Sequence, residues 1–197
     1  TLVATFKTAF ANENVKVSHE MQPHILSNCF GISYQQFTFP KNTGLSGSII
    51  NGTAKGADEK AEAKVFMELL MPQEAEVLAS YDHYNWKEYA AITKNHYGKG
   101  TAIYIGCMTD DNTLKAVLTE ALNSAEVEIP EYSWPVIVRK GINDLNKCIR
   151  YILNYSAEEQ NVIYHGANGT ELFSEESVQD GDTVTVLPWN LKIVEEA

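Results

Sequence analysis

A chain of 197 residues and 22.0 kDa has room for one medium domain or two small ones, and 44% hydrophobic with 21% charged residues is ordinary globular material. Fifteen Lys and Arg against twenty-six Asp and Glu leave a net charge of −11. That balance argues against nucleic acid and against charge-driven binding to anionic lipid, and fits a soluble protein acting on a neutral or cationic ligand.

The first segment, Leu2 to Phe6, is apolar without alternation, as expected of a strand buried on both faces. A polar stretch from Ala11 to Glu20 follows. Pro23 opens a short helix with Ile25, Leu26 and Cys29 at helical spacing and Gly31 just past its end. Gly44 to Asn51 and Ala61 to Leu70 read as strands around a loop rich in Gly, Asp, Glu and Lys. Glu76 to Tyr81 is a further apolar run, an aromatic turn-prone stretch covers Asp82 to Tyr89, and Ala90 to Thr93 reads as one more strand. Asn95 to Gly100 is expected to turn into a strand over Thr101 to Gly106. Asp110 and Asp111 then cap a helix whose apolar positions Leu114, Val117, Leu118, Ala121 and Leu122 define one buried face. Strand, loop and helix make a β-α unit of an α/β sheet.

At about Glu128 the pattern changes. Ile129-Pro130 and Trp134-Pro135 bracket a connector, and strands are expected over Val136–Arg139, Cys148–Asn154, Asn161–His165, Val184–Leu187 and Leu191–Val194. Turn signals at Lys140-Gly141, Ala167–Gly169 and Gln179–Asp182 space them as in a small antiparallel sandwich or barrel. Two domains are therefore expected, 1–128 of α/β type and 129–197 all β.

Little in the chain carries chemistry. Gly98-Lys-Gly100 lacks the earlier glycine and the following Ser or Thr of a phosphate loop, so a tight turn is expected. Cys107 lies between a strand and a helix, but Gly106-Cys107-Met108-Thr109 is not a nucleophile elbow, and a buried structural thiol is the simpler reading. Cys29, Cys107 and Cys148 allow at most one disulfide. The five histidines, His19, His24, His83, His96 and His165, have no metal spacing. A glycosidase pair could in principle be drawn from carboxylates such as Glu74, Glu76, Asp82 and Glu88, and solvated surface charge is the default reading for them. Tyr81, Tyr84, Trp86, Tyr89 and Tyr97 form a dense aromatic group fit for a core or a protein interface. Asn51-Gly-Thr53, Asn154-Tyr-Ser156 and Asn168-Gly-Thr170 match the glycosylation acceptor pattern but also read as plain turns or strands. No run of about 18 apolar residues is present and no secretory signal opens the chain, so a cytoplasmic location is expected. Thr1 stands inside an apolar run, so a preceding segment is expected as well.

The stretches Ala75–Tyr81, Ala91–Gly100 and Ala102–Gly106 resemble the middle domain of the family 42 glycoside hydrolases, the β-galactosidases. The opening Leu2–Phe6 with Glu13-Asn14 is similar to a strand and loop of the same domain. Ile152–Ser156 and Val184–Pro188 resemble the family's small C-terminal β domain. Phe66 departs from the pattern, since the family often has Trp near that position. The resemblance covers nearly the whole chain. It implies a parent enzyme with a (β/α)₈ barrel bearing two catalytic glutamates, an α/β trimerisation domain of flavodoxin-like or amidotransferase-like form, and a small β domain. This chain is similar to the last part of the second and all of the third. The resemblance therefore implies no catalytic, cofactor-binding or metal-binding residue here, and a homo-trimer supporting the barrel of a galactoside hydrolase. A rival expectation is a carbohydrate-binding module using Trp134, Tyr151, Tyr164 or Trp189 as a stacking platform. Another is an amidotransferase-like enzyme using Cys107, which lacks its elbow glycine and a histidine partner. For assembly, the apolar run Val65–Met71, with the adaptable Met67 and Met71, is the candidate surface.

Overall fold

A computed structural model describes residues 1–51, 61–127, 129 and 132–197. The loop expected between residues 51 and 61, the Asn51-Gly-Thr53 motif and part of the connector around Glu128 and Pro130 lie outside the described residues. The chain divides into two compact units, Thr1–Ile129 and Pro130–Ala197. The structure is mostly β, with 45% strand and 13% helix. Among the described residues, the β-α unit expected of an α/β sheet is found over residues 100–124, within a first unit that is mostly β.

In the first unit, β1 (Leu2–Thr5) pairs parallel with β7 (Gly100–Ile105). β7 pairs antiparallel with β6 (Ala90–Tyr97), whose other neighbours are β5 (Glu76–Asp82) and, at Leu70↔Ala90, β4 (Lys64–Pro72). β2 (Ile32–Thr38) and the short β8 (Cys107–Met108) flank β4, and β3 (Gly44–Ser46) flanks β5. Side chains alternate across this sheet because the strand period is two. Ile103 and Ile105 of β7 thus join Met67, Leu69 and Ile92 in one core, while Ala102 and Tyr104 join Phe30, Ile32 and Leu70 in a second. The helix α3 (Asp111–Ser124) packs on the first core, and α1 (Ser27–Phe30) on the second.

Several expectations need correction. β1 is an edge strand with Leu2 exposed, and only Val3 and Ala4 reach the two cores. Gly44–Asn51 is not one strand: it stops at Ser46, and Ser48–Asn51 forms α2, because Gly47 lies against the Leu78 carbonyl with φ 150 and breaks the extended run. β6 runs through His96 to Tyr97, so the turn is confined to Tyr97–Gly100, with Gly98 at φ 58. The buried stripe of α3 is Thr113, Val117 and Ala121, whereas Leu114 and Leu118 stay 38% and 44% exposed. The stripe is rotated by one position. Asp110 fixes that register, accepting the Thr113 N–H at 2.9 Å and its hydroxyl at 2.7 Å, so Thr113 faces inward. The helix at Pro23 is a 3-10 turn (His24–Leu26) leading into α1, and it ends at Gly31 with φ 62 as expected. A side chain there would collide with Asn95, and the Gly31 carbonyl accepts the N–H groups of Gln73, Glu74 and Ala75.

The second unit stacks two antiparallel sheets. One has the order β13 (Ser177–Val178), β12 (Gly169–Glu171), β15 (Leu191–Glu196), β10 (Cys148–Asn154) and β9 (Val136–Ile142); the other pairs β11 (Gln160–Ile163) with β14 (Thr183–Val186). Val136, Ile152, Val178 and Val194 meet Val162, Tyr164, Val184 and Val186 between them. Lys140-Gly141 is not a turn but part of β9, where Gly141 pairs with Ile149. The chain turns at Asn143 instead, whose side-chain oxygen accepts the N–H groups of Leu145 at 3.0 Å and Lys147 at 2.9 Å.

Candidate functional site

In open sheets, ligand and partner sites gather at the C-terminal ends of parallel strands. Here that end is Thr5 of β1, where the chain enters the long excursion from Phe6 to Pro23. Its base is anchored on Glu68 of β4, which is 2% exposed. One carboxylate oxygen accepts the Lys7 backbone N–H at 3.0 Å, and the other accepts the Tyr104 hydroxyl at 2.8 Å. Burial pushes the Glu68 carboxyl up, and the two hydrogen bonds with the Lys7 charge only partly oppose it. The Glu68 backbone carbonyl accepts the buried Tyr81 hydroxyl at 2.7 Å.

Above Glu68 the Lys7 ammonium lies 3.8 Å from the ring centre of Phe10, 3.7 Å from Phe37 and 4.8 Å from Phe66. The rings also pack on one another, with Phe37 and Phe66 centred 5.3 Å apart and Phe6 and Phe66 5.0 Å apart. A cation so enclosed is held by the ring quadrupoles. Phe66 is therefore one wall of this cage. Lys7 and Ala9 sit at φ 66 and φ 58, a left-handed backbone that non-glycine residues adopt only where surroundings impose it.

Beyond the cage a small hairpin projects. Ala11 bridges Val17, and the Asn12 side-chain oxygen accepts the N–H groups of Asn14 and Lys16, each at 3.0 Å. The tip residue, Val15, has φ 61 and is 83% exposed. Open hollows of about 520 and 620 Å³ flank the hairpin, one walled by Ala9, Lys16 and Ile25, the other by Phe10, Met21 and Phe37.

The residues singled out from the sequence are distributed elsewhere. Cys107 is buried with its thiol pushed up to about 12 by burial, as a structural thiol requires and a nucleophile does not. Among the described residues, no cluster of His, Cys, Asp or Glu could hold a metal ion. The aromatic group divides: Tyr81 is wholly buried, Trp86 and Tyr89 lean on the first core, and Tyr84 and Tyr97 are exposed. In Val65–Met71, Met67, Leu69 and Leu70 are core residues rather than a surface. Of the proposed sugar platform, Tyr164 is fully buried, with its hydroxyl on Glu196 and Ala167. Trp134 and Trp189 are exposed, and Trp134 stacks on Tyr155 at 5.9 Å. Glu68 escaped the sequence reading because its partners are 36 and 61 positions away, and Glu between Met67 and Leu69 was the one available signal: a carboxylate inside an apolar strand.

The first unit is mostly β with one parallel strand pair and an excursion at its end, and a small antiparallel β unit follows it in sequence. Residues 1–128 match the β-galactosidase trimerisation domain of family 42 glycoside hydrolases, and the chain belongs to that family. It is 23% identical over 197 residues to the β-galactosidase BgaA of Clostridium cellulovorans, covering 99% of this chain and 28% of that protein. It is 28% identical over 194 residues to the β-galactosidase LacZ of Heyndrickxia coagulans, covering 96% and 27% respectively. The fold matches the β-galactosidase from Bacillus circulans sp. alkalophilus with a TM-score of 0.82 at 21% identity, covering 99% of this chain and 29% of that one. The chain thus spans about a quarter of the length of the curated relatives it matches.

Proposed function

We propose that this chain is the non-catalytic, assembly-forming part of a β-galactosidase that hydrolyses terminal β-galactosides. Residues 1–128 act as the C-terminal portion of the trimerisation domain and 129–197 as the small β domain, and together they support a catalytic barrel supplied outside these residues. The observation that carries this reading is the match of 1–128 to the trimerisation domain. The parallel β1–β7 pair followed by α3 is consistent with a remnant of a larger flavodoxin-like or amidotransferase-like sheet. Glu68 is sealed beneath Lys7 and Tyr104, and Glu171 and Glu196 serve internal hydrogen bonds, so these three carboxylates are engaged inside the fold. The expected outcome is buffer-rate hydrolysis of a chromogenic β-galactoside by the chain, and a mass in solution of three copies at tens of micromolar by sedimentation. Turnover abolished by one Glu or Asp substitution, or a concentration-independent mass of one 22.0 kDa chain, would overturn it.

Exposed Trp134 and Trp189 favour a second reading, carbohydrate binding by the β unit. Galactose and lactose titrated against tryptophan fluorescence test it; a saturable change lost in Trp134→Ala or Trp189→Ala would establish this reading.

A further inference from the structure

We infer that the Ala11–Val17 hairpin and the hollow beside it form the face through which copies of this chain join head to tail. The inference rests on the assembly reading above and names its surface.

Three independent observations converge on this face. The first is backbone strain. A β-branched residue at φ 61 costs about 1–2 kcal/mol, and Val15 bears it at an exposed tip where no intrachain packing repays it. The Asn12 side chain clamps the turn in that shape, so an apolar side chain is held outward by construction.

The second is apolar exposure. Met21 is 60% and Ile25 75% exposed in the walls of the two flanking hollows, and the exposed Val17 and Phe37 line them too. Exposed apolar side chains gathered around one pair of hollows mark an interaction site.

The third is charge, and it selects the partner. The chain carries 26 acids, of which only Glu13 and Glu20 fall in residues 1–51, balanced there by Lys7, Lys16 and Lys41. The other 24 acids face only 12 basic residues in the rest of the chain. Two copies of such a chain carry like net charge, and the excursion, with Lys7 and Lys16 against Glu13 and Glu20, is balanced, so like-charge repulsion does not oppose contact there. A closed ring of three needs a heterologous contact, one shape on each copy meeting a different shape on the next. A convex hairpin beside a hollow walled by Phe10, Met21 and Phe37 supplies both shapes on one surface. The tip of one copy would enter the hollow of its neighbour.

The test is sedimentation of the 197-residue chain as wild type, as the double variant Val15→Asp/Ile25→Glu, and as Trp134→Ser on the other unit. Both hairpin positions are exposed, so the fold should survive, and circular dichroism and the thermal midpoint report whether it does. The expected result is assembly weakened by about a hundredfold in the double variant and unchanged in Trp134→Ser, because a charge pressed unpaired into an interface is costly. Concentration-dependent protection of residues 10–25 in hydrogen–deuterium exchange of the wild type is the second, mutation-free readout. A double variant that still assembles like wild type, with no protection at residues 10–25, would overturn this face and leave the assembly reading standing. A wild-type chain that remains a monomer would overturn both.

Discussion

In the first unit Glu68 lies beneath the excursion after β1 with two donors, a backbone N–H and a tyrosine hydroxyl, and the Lys7 charge turned into three phenylalanine rings. In the second unit Glu196 lies against Arg150, whose guanidinium reaches one carboxylate oxygen at 2.6 and 2.8 Å, with the Tyr164 hydroxyl on the same oxygen at 2.9 Å. Glu171 nearby in sequence space accepts the N–H groups of Phe173, Ser174 and Ile193 and the Lys192 ammonium. Burial opposes the charge in all three. It wins at Glu68, whose carboxyl is pushed up, and it loses at Glu196 and Glu171, where hydrogen bonds hold the carboxyl down, to about 2 for Glu171. The lesson is that burial alone does not set a carboxylate's behaviour; the charge and number of its donors do. The second unit holds the Glu171 and Glu196 carboxyls down with charged and multiple donors, whereas burial pushes the Glu68 carboxyl of the first up.

The sharpest way to break this comparison is to remove one donor set. Arg150→Met leaves buried Glu196 with the Tyr164 hydroxyl but without its cation and should cost about 3–5 kcal/mol in the second unit. Glu68→Gln removes no ion pair: the amide still accepts the Lys7 N–H, and the Tyr104 hydroxyl can turn to accept from its NH₂. It should cost no more than about 1 kcal/mol. Urea unfolding can be read separately in the two units, since Trp86 belongs to the first and Trp134 and Trp189 to the second. Equal losses in the two variants would mean that the two carboxylates play the same part.

Acid should separate the units next. Glu171 and Glu196 have lowered folded values, so their contribution is present above the ordinary glutamate value of 4.5 and is lost as pH falls through the folded values, about 2 for Glu171. Glu68 has a raised folded value, so its contribution is fully present below 4.5 and is lost as pH rises through that raised value. Urea midpoints measured from about pH 7 to pH 3 in Trp86→Phe and in Trp134→Phe/Trp189→Phe should therefore slope in opposite senses where these groups titrate. Glu68→Gln should flatten its unit's slope, and parallel profiles would break the comparison.

The sequence carried this contrast unevenly. Strand composition and turn residues exposed β5, β7, β10 and the stop at Gly31, because those signals are local. The α3 stripe read correctly at Val117 and Ala121 but included Leu114 and Leu118, because an apolar side chain does not by itself say which face meets the core. The Asp110 cap decided it. Lys140-Gly141 carried turn composition inside a strand, while Asn143, with one side chain serving two N–H groups, made the turn. Within the excursion from Phe6 to Pro23, composition showed only a polar stretch from Ala11 to Glu20. The excursion's organisation depends on Glu68, Phe37 and Phe66, partners too distant in sequence for any periodicity to show, and its strain exists only in dihedral angles. The family resemblance, by contrast, was legible over nearly the whole chain because it rests on ordered strings of residues and not on their contacts.

A third expectation concerns reactivity. Cys107 is buried and its thiol is pushed up to about 12, whereas Cys29 and Cys148 are partly exposed. Alkylation near pH 8 followed by peptide mapping should label the latter two and leave Cys107 unmodified until urea unfolds the first unit. Early labelling of Cys107 would mean that its core opens locally, and would weaken the contrast between a sealed first core and a hydrogen-bonded second one.

The smallest effect is also the one that separates folding from assembly. Val15 stores strain at the hairpin tip, and asparagine tolerates the left-handed region far better than a β-branched residue does. Val15→Asn should therefore stabilise the first unit by about 0.5–1 kcal/mol, while replacing an apolar tip with a polar one should weaken self-association. A thermal midpoint that rises as the assembly constant falls is the signature of a residue kept for contact and not for the fold, since natural proteins carry such strain where function needs it. Thermal melts well below the association concentration isolate the first quantity, and sedimentation gives the second. If Val15→Asn melts lower than wild type under those conditions, the tip is not strained in the free chain. If it melts higher and assembles equally well, the strain has a cause other than the neighbouring copy, and the inferred face is overturned.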